Sequence, residues 1–405
     1  MAICLSEGNN QITYNNLFEK INNRDYYIPI YKYDTLINYL INLVVCLVND
    51  MPIKLIDADF SEHELSLLKI EKVNKQIEIK TKLFSNFSKV IDRIKESKSE
   101  ITLYTSGTTG LPKEIKHDIN TLCRFVVESE KHNKDIWGLA YNPTHMAGIQ
   151  VLFQALLNNN SIINLFGLQR KQIYENIQKF GVTHISATPS FYRLLLPFEK
   201  EYRSVKRITF GGEKSDTELY NSIKQIFPVA KFNNIYASTE SGSLFVSNSD
   251  IFKVPQKLTD KIKFIDNELL IHKTLLGESN ELAIENNFYH TGDIIEIINP
   301  EEKSFRFVTR KNNLINIGGY NVDPIEIEDT IRLVSSVEDV VVFSKKNSVL
   351  GNILCADIKL IKGKDLKENH IRQFLREKLQ EFKIPRRIQF TEKIKITRTG
   401  KIERK

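Results

Sequence analysis

The chain lacks the features that would assign it to a membrane, to nucleic acid or to a disulfide scaffold. No stretch approaches the roughly 18 apolar residues that a membrane-spanning helix needs. The most apolar run, Leu36 to Val48, is broken by Asn38 and Asn42 and reads as a helix packed inside a protein. No basic segment followed by an apolar one opens the sequence, so no export signal is expected. Four cysteines (Cys4, Cys46, Cys123, Cys355) lie too far apart for metal-type or redox pair spacing, and reduced thiols in a cytoplasmic protein are expected. There is no arginine-rich arm, zinc-finger spacing or RNA-binding signature, and lysine and arginine alternate with acids along the whole chain. The net charge of +7 therefore reads as a solvated basic surface, or as a field drawing in a small anionic substrate or an acidic carrier protein. No nucleic-acid partner is expected.

What is present is a globular composition, 41% hydrophobic and 26% charged, over 405 residues, enough for two or three domains. Short apolar runs at 28–30 and 53–56 predict strands, and 35–48 and 62–75 predict helices. From 100 to 250 strand and helix alternate. Strands are predicted at 101–104, 136–140, 161–165, 184–187, 207–210 and 234–236, with helices at 118–130, 147–158, 170–180, 190–196 and 215–226. Repeated strand–helix units predict a parallel sheet covered on both faces. From 251 to 308 the pieces are short and β-like, which suggests a small barrel or a distorted sheet. After 310, strands at 314–316 and 339–344 and helices at 325–333 and 367–379 give a third texture.

Thr105-Ser106-Gly107-Thr108-Thr109-Gly110-Leu111-Pro112-Lys113 stands between a predicted strand and the next predicted helix. Glycines let backbone N–H groups approach an anion, and the hydroxyls add donors. It is not the Walker pattern, because no Gly-Lys-Ser/Thr occurs. Taken alone, such a loop serves equally well as a plain turn.

As written, however, the string resembles the signature loop of the adenylate-forming superfamily of acyl-CoA synthetases, luciferase-like enzymes and peptide-synthetase adenylation domains. Seven further segments follow in the order that resemblance requires. Tyr141-Asn142-Pro143-Thr144-His145-Met146-Ala147-Gly148 looks like the family's substrate loop, and Ala187-Thr188-Pro189-Ser190 like its Pro-Ser turn. Gly211-Gly212-Glu213 and Asn234-Ile235-Tyr236-Ala237-Ser238-Thr239-Glu240 resemble the adenine and Thr-Glu elements, with Ala237 replacing the usual glycine. His290-Thr291-Gly292-Asp293 carries the Thr-Gly-Asp. Arg310 through Glu328 resembles the hinge and thioester-forming element, with Gly318-Gly319 on the thiol path, and Thr397-Arg398-Thr399-Gly400-Lys401-Ile402 the terminal lysine motif. The pattern is closest to acyl- or aryl-acid:CoA ligases.

The resemblance implies an α/β protein: a large N-terminal domain of layered, mostly parallel sheets with a small β-barrel-like part, and a small mobile α+β C-terminal domain. The boundary is expected at 311/312. It implies an AMP-forming acid–thiol ligase that uses ATP and Mg²⁺ to make an acyl-adenylate, aryl or fatty, and then loads CoA. The phosphopantetheine of a carrier protein is the alternative acceptor, and a non-catalytic nucleotide-binding module the remaining reading. Thr105, Ser106, Gly107, Thr108, Thr109, Gly110 and Lys113 would hold the pyrophosphate. Gly211, Gly212, Glu213, Asn234 and Tyr236 would bind adenine, and Asp293 and Arg310 the ribose. Thr239 would bond the α-phosphate, Glu240 would ligate Mg²⁺, and His145 would gate the acid pocket. Ile149, Phe153, Phe191, Tyr192 and Leu244 are expected to line that pocket. Read without the resemblance, Thr239-Glu240 is a helix cap and Asp293 a turn residue.

Three departures stand out: a short region before the loop, Asn312 at the hinge, and Lys395-Ile396 where Pro-Lys is usual. None removes a phosphate, magnesium or catalytic group. Lys401→Ala should lower adenylate formation by a hundred- to a thousand-fold, the ~3–4 kcal/mol cost of losing one preorganised charge-stabilising donor. Thioester formation from supplied acyl-adenylate should be spared. Equal loss in both half-reactions, assayed separately, would contradict the role.

Overall fold

The computed structural model describes residues 3–106, 112–213, 217–317, 320–347 and 351–395. The chain forms two compact units, Met1–Lys261 with Ile271–Tyr289, and Ile262–Leu270 with His290–Lys405.

The first unit is built on an eight-stranded sheet. Its strand order is Gly242–Ser247, Lys231–Ser238, Arg207–Gly211, His184–Ala187, Ile136–Leu139, Ser161–Asn164, Ile3–Glu7 and Asn10–Thr13. The six inner strands are parallel, and the two outermost are antiparallel additions. Parallel neighbours need crossovers, and helices such as Met146–Leu157, Arg170–Phe180 and Thr217–Ile226 supply them. Strands of such a sheet are covered on both faces, and His184–Ala187 is accordingly buried at every position, its polar His184 and Ser186 included. A second sheet runs Ile30–Lys32, Ile53–Ile56, Ile101–Ser106 and Pro112–His117.

The helix Leu36–Val48 is capped by Thr35 and buried almost all round. Its interrupting Asn42 is fully buried and costs little, because its amide exchanges two 2.9 Å hydrogen bonds with the Ile28 backbone. This helix and Met146–Leu157 share one core cluster, while Arg170–Phe180 and Thr217–Ile226 share a second.

In the second unit the strands Val337–Asn347 and Gly351–Leu360 form a long antiparallel pair, with Arg387–Phe390 added in parallel. The helices Pro324–Arg332 and Glu368–Arg376 close its core through Ile327, Ile331, Ile371 and Leu375.

Four expectations change. The signature loop is followed by the strand Pro112–His117, paired with Ile101–Ser106, before the short helix Ile119–Cys123. Burial of Ile115 and His117 but not Lys116 is the two-residue period that marks the strand. The helix expected at 62–75 stops at Leu67, because Lys69 takes a left-handed conformation at φ 56°. In the 28–30 region the strand is Ile30–Lys32. The strands from 262 to 310 form an open sheet, with no barrel closure among the described residues. All four cysteines are free thiols, and no described helix is long and apolar enough to cross a membrane.

Gly148 lies in the first turn of Met146–Leu157, where a Cβ would fall 2.1 Å from the Asn142 carbonyl oxygen and 2.9 Å from the Pro143 Cα. Both obstacles are backbone. Gly148→Ala should therefore destabilise the fold by about 2 kcal/mol, the cost of overpacking a site that cannot yield. An unchanged thermal midpoint would show that the loop moves aside.

Candidate active site

Because the six inner strands are parallel, all their carboxyl ends lie on one edge of the sheet, where open α/β sheets bind ligands. Four recognised segments hang from that edge on adjacent strands. Tyr141–Gly148 follows Ile136–Leu139, Thr188–Ser190 follows His184–Ala187, Gly211–Glu213 ends Arg207–Gly211, and Thr239–Glu240 ends Lys231–Ser238.

Thr239, Glu240 and Ser241 form the tip of the hairpin between Lys231–Ser238 and Gly242–Ser247, not a helix cap. Gly242 follows at φ +66°, the left-handed residue that a three-residue hairpin loop requires. All three tip carbonyls are held. His117 Nε2 lies 2.8 Å from the Thr239 oxygen, the Gly277 N–H donates to Glu240 at 2.7 Å, and Arg124 donates to Ser241 at 2.9 Å. Gly277 has no room for a side chain, since a Cβ would meet the His117 ring at 2.4 Å. The Glu240 carboxylate, half-buried, makes no hydrogen bond or ion pair with any described residue. A carboxylate left unpaired on a braced turn fits a hard cation such as Mg²⁺.

His145 gains a partner that sequence spacing did not suggest. Its Nε2 lies 2.7 Å from Oδ2 of Asp57, a buried carboxylate that also accepts from the Thr144 hydroxyl. Asp57 stands just past the strand Ile53–Ile56, and its position at a carboxyl strand end was the one sequence clue. The Tyr39 hydroxyl, reaching from the buried helix, bonds the Pro143 carbonyl at 2.9 Å.

Glu213 points its carboxylate at the start of the helix Pro189–Leu194. It accepts from the Ser190 N–H at 3.0 Å and the Ser190 hydroxyl at 2.8 Å, tying two recognised segments together. Gly211 faces Tyr141, whose hydroxyl would lie 2.9 Å from any Cβ there, and Gly212 needs its φ of +82°. The Asn234 amide bonds the Ser249 carbonyl at 2.7 Å, and the buried Tyr236 ring packs near Phe245 and Phe252. Ile149, Phe153, Tyr192 and Leu244 are closed core, Tyr192 bonding two carbonyls, while Phe191 is half-buried.

Lys113 is half-buried opposite Thr105 in the hairpin that bears the signature loop. Gly107, Thr108, Thr109 and Gly110, the side chains of Thr105 and Ser106, Gly318-Gly319 and Lys401 lie outside the described residues. In the second unit Asp293 and Arg310 are cross-strand partners, joined by a 2.6 Å hydrogen bond from Nε. Beside them the buried Glu268, which sequence reasoning missed, accepts from Lys311 and the Gly292 N–H, each at 2.8 Å. Burial pushes the Glu268 carboxyl up, but those hydrogen bonds outweigh it and hold its pKa below the ordinary value.

A glycine-lined carboxyl edge, with a carboxylate unpaired among the described residues on a braced turn, fits a nucleotide-dependent carboxylate-activating ligase. The comparisons with known proteins agree. The chain belongs to the AMP-binding enzyme family, whose model matches residues 44–264, and the AMP-binding enzyme C-terminal domain matches 326–401. It is 26% identical to a 2-succinylbenzoate–CoA ligase of Listeria innocua over 76% of this chain and 69% of that one. A ligase of the same name from Staphylococcus epidermidis is 24% identical, over 75% and 68%. In fold it is similar to O-succinylbenzoate coenzyme A synthetase from Bacillus subtilis in complex with ATP and magnesium ion, with a TM-score of 0.72, 17% identity, and 99% and 95% of the two chains covered. ATP-bound MatB from Rhodopseudomonas palustris gives a TM-score of 0.74 at 15% identity, over 99% and 94%. The chain is an AMP-forming acid–thiol ligase of this family.

Burial lowers the His117 pKa to about 4, so the ring is neutral and its Nδ1 is buried without a partner. The unfolded value is about 6.5, so between pH 4 and 6.5 the unfolded chain binds more protons. The stability linked to this ring is full above pH 6.5 and is lost as pH falls toward 4. His117→Gln keeps a donor for Thr239 and cannot titrate, so its thermal midpoint should fall less than the wild type's between pH 7 and pH 5. Parallel profiles would contradict the assignment.

Proposed function

We propose that this ligase activates an aromatic acid bearing a second carboxylate, of the 2-succinylbenzoate kind, and transfers it to CoA in the cytoplasm. Three quarters of the chain aligns with enzymes named for that acid, and this observation carries the reading. Two structural features support it. The substrate loop 142–148 carries no acidic residue for an α-ammonium, and Asp57, which the fold brings beside it, already accepts from His145 and Thr144. A buried ammonium without a partner is costly, so amino acids are disfavoured. The net charge of +7 suits a doubly anionic acid.

The substrate carboxylate attacks the α-phosphorus of ATP and pyrophosphate leaves; the CoA sulfur then attacks the acyl carbon and AMP leaves. No protein nucleophile is needed, and the residues position groups and neutralise charge. Magnesium, when bound by Glu240, neutralises charge on the phosphate oxygens. Thr239 bonds the α-phosphate, and Lys113 with the loop before it holds the pyrophosphate. Gly211 and Gly212 admit the base beside Tyr236, with Glu213 holding that segment in place. Asp293 and Arg310, already paired, present one carboxylate and one guanidinium to the ribose. His145, held by Asp57, stands at the acid entrance. Lys401 bridges the attacking carboxylate and the α-phosphate, and its removal by rotation about Asn312 makes way for the thiol.

The test is acid-dependent ATP–pyrophosphate exchange over a panel of 2-succinylbenzoate, benzoate, fatty acids, malonate and amino acids, followed by a CoA thioester assay on the best acid. 2-Succinylbenzoate should exceed every other acid at least tenfold in kcat/KM. A fatty acid, malonate or an amino acid at the head of the panel would overturn the substrate assignment.

A further inference from the structure

The edge of the main sheet opposite the activation motifs carries a second cluster. His132 ends a short helical turn, Asp135 immediately precedes the strand Ile136–Leu139, and His184 opens the neighbouring strand His184–Ala187. His132 Nδ1 lies 2.8 Å from Oδ2 of Asp135, and His184 Nε2 lies 3.5 Å from the same oxygen. One ligand atom from each of the three residues lies within 4.8 Å of the other two. His184 is buried and the other two are mostly so. Nothing in the ligase chemistry uses any of them.

We propose that His132, Asp135 and His184 form a binding site for a divalent transition metal of the zinc class, independent of the magnesium at Glu240. Zinc holds nitrogen and oxygen at about 2.0–2.2 Å, which sets tetrahedral ligands about 3.3 Å apart. The observed 2.8 and 3.5 Å bracket that spacing. The longer distance is poor for a hydrogen bond and suitable for two ligands of one ion. Two imidazoles with a single carboxylate favour zinc, cobalt, nickel or copper over magnesium or calcium, which take oxygen ligands. The basic groups near His184, Arg207 and Lys206, further disfavour a hard cation held by charge alone.

The surroundings have the outer shell of a built site. The second nitrogen of His184 lies 2.8 Å from the Thr183 hydroxyl, which accepts from the Ile136 N–H at 2.8 Å. The buried Asn160 amide bonds the His132 carbonyl, and its oxygen accepts from the Trp137 indole at 3.3 Å. The indole in turn lies 4.8 Å from the His184 ring, centroid to centroid. The His184 ring is thus oriented from behind, and the backbone of the turn that carries His132 is held in place. Three protein ligands leave a position for water. An ion here would staple the turn at 130–132 to two adjacent strand starts, stabilising the unit without touching the acid or the nucleotide.

Full-length protein, free of nucleotide and magnesium, is titrated with Zn²⁺ by calorimetry and with Co²⁺ by visible absorption. One equivalent should bind, be retained in Glu240→Gln, and be lost in both His132→Ala and Asp135→Asn. Zn²⁺ at a hundredfold excess over Kd should raise the wild-type thermal midpoint by roughly 5 °C and leave Asp135→Asn unmoved. His132→Ala removes a partly exposed side chain, and Asp135→Asn preserves shape, so both variants should fold. No stoichiometric binding, or equal binding in wild type and both variants, would overturn the proposal. These readouts involve no acid activation, so they fail or succeed independently of the substrate assignment.

Discussion

Six strands running in one direction are the constraint on which the first unit depends. Parallel neighbours cannot be joined by a tight turn, so every return passes through a crossover on a face of the sheet. That has two consequences. Both faces are covered, which packs the helices Met146–Leu157, Arg170–Phe180 and Thr217–Ile226 against the inner strands. Every carboxyl end also emerges on the same edge, so segments separated by up to a hundred residues in sequence become neighbours on adjacent strands. The opposite edge collects the amino ends, and with them His132, Asp135 and His184.

A ligand edge made of loops is precise only if something braces it. Here the braces are backbone carbonyls held by groups from elsewhere in the unit. The Thr239–Ser241 tip is gripped by His117, Gly277 and Arg124, and the Pro143 carbonyl by Tyr39. His117 sits at the end of the strand that leaves the signature loop, so the hairpin that bears that loop and the Thr239–Ser241 turn share one contact. Such preorganisation suits a reaction in which positioned charge, not a protein nucleophile, lowers the barrier.

The acidic residues in or beside the recognised segments of the two units separate by whether their oxygens are engaged. Asp57 is taken by Thr144 and His145, Glu213 by Ser190, Asp293 by Arg310, and Glu268 by Lys311 and Gly292. Burying a carboxylate demands such partners. Glu240 has none among the described residues, which suits the cation-binding role proposed for it.

Alternation of strand and helix, the glycine positions and the eight ordered segments were legible in the sequence because each is local. Period-two and helical patterns, and glycines where no Cβ fits, such as Gly148 and Gly211, leave their mark within a few residues. The strand Pro112–His117 escaped because its two buried residues lie among lysine and glutamate. Asp57 with His145, His117 with Thr239, and His132 and Asp135 with His184 were decided only by the tertiary structure. The sequence by itself determined the residue types, the strand directions and hence which edge the motifs share. Which distant side chain each of them meets depends on strand order and crossover packing. Those are set by the summed burial of the whole core, a quantity that no single segment carries.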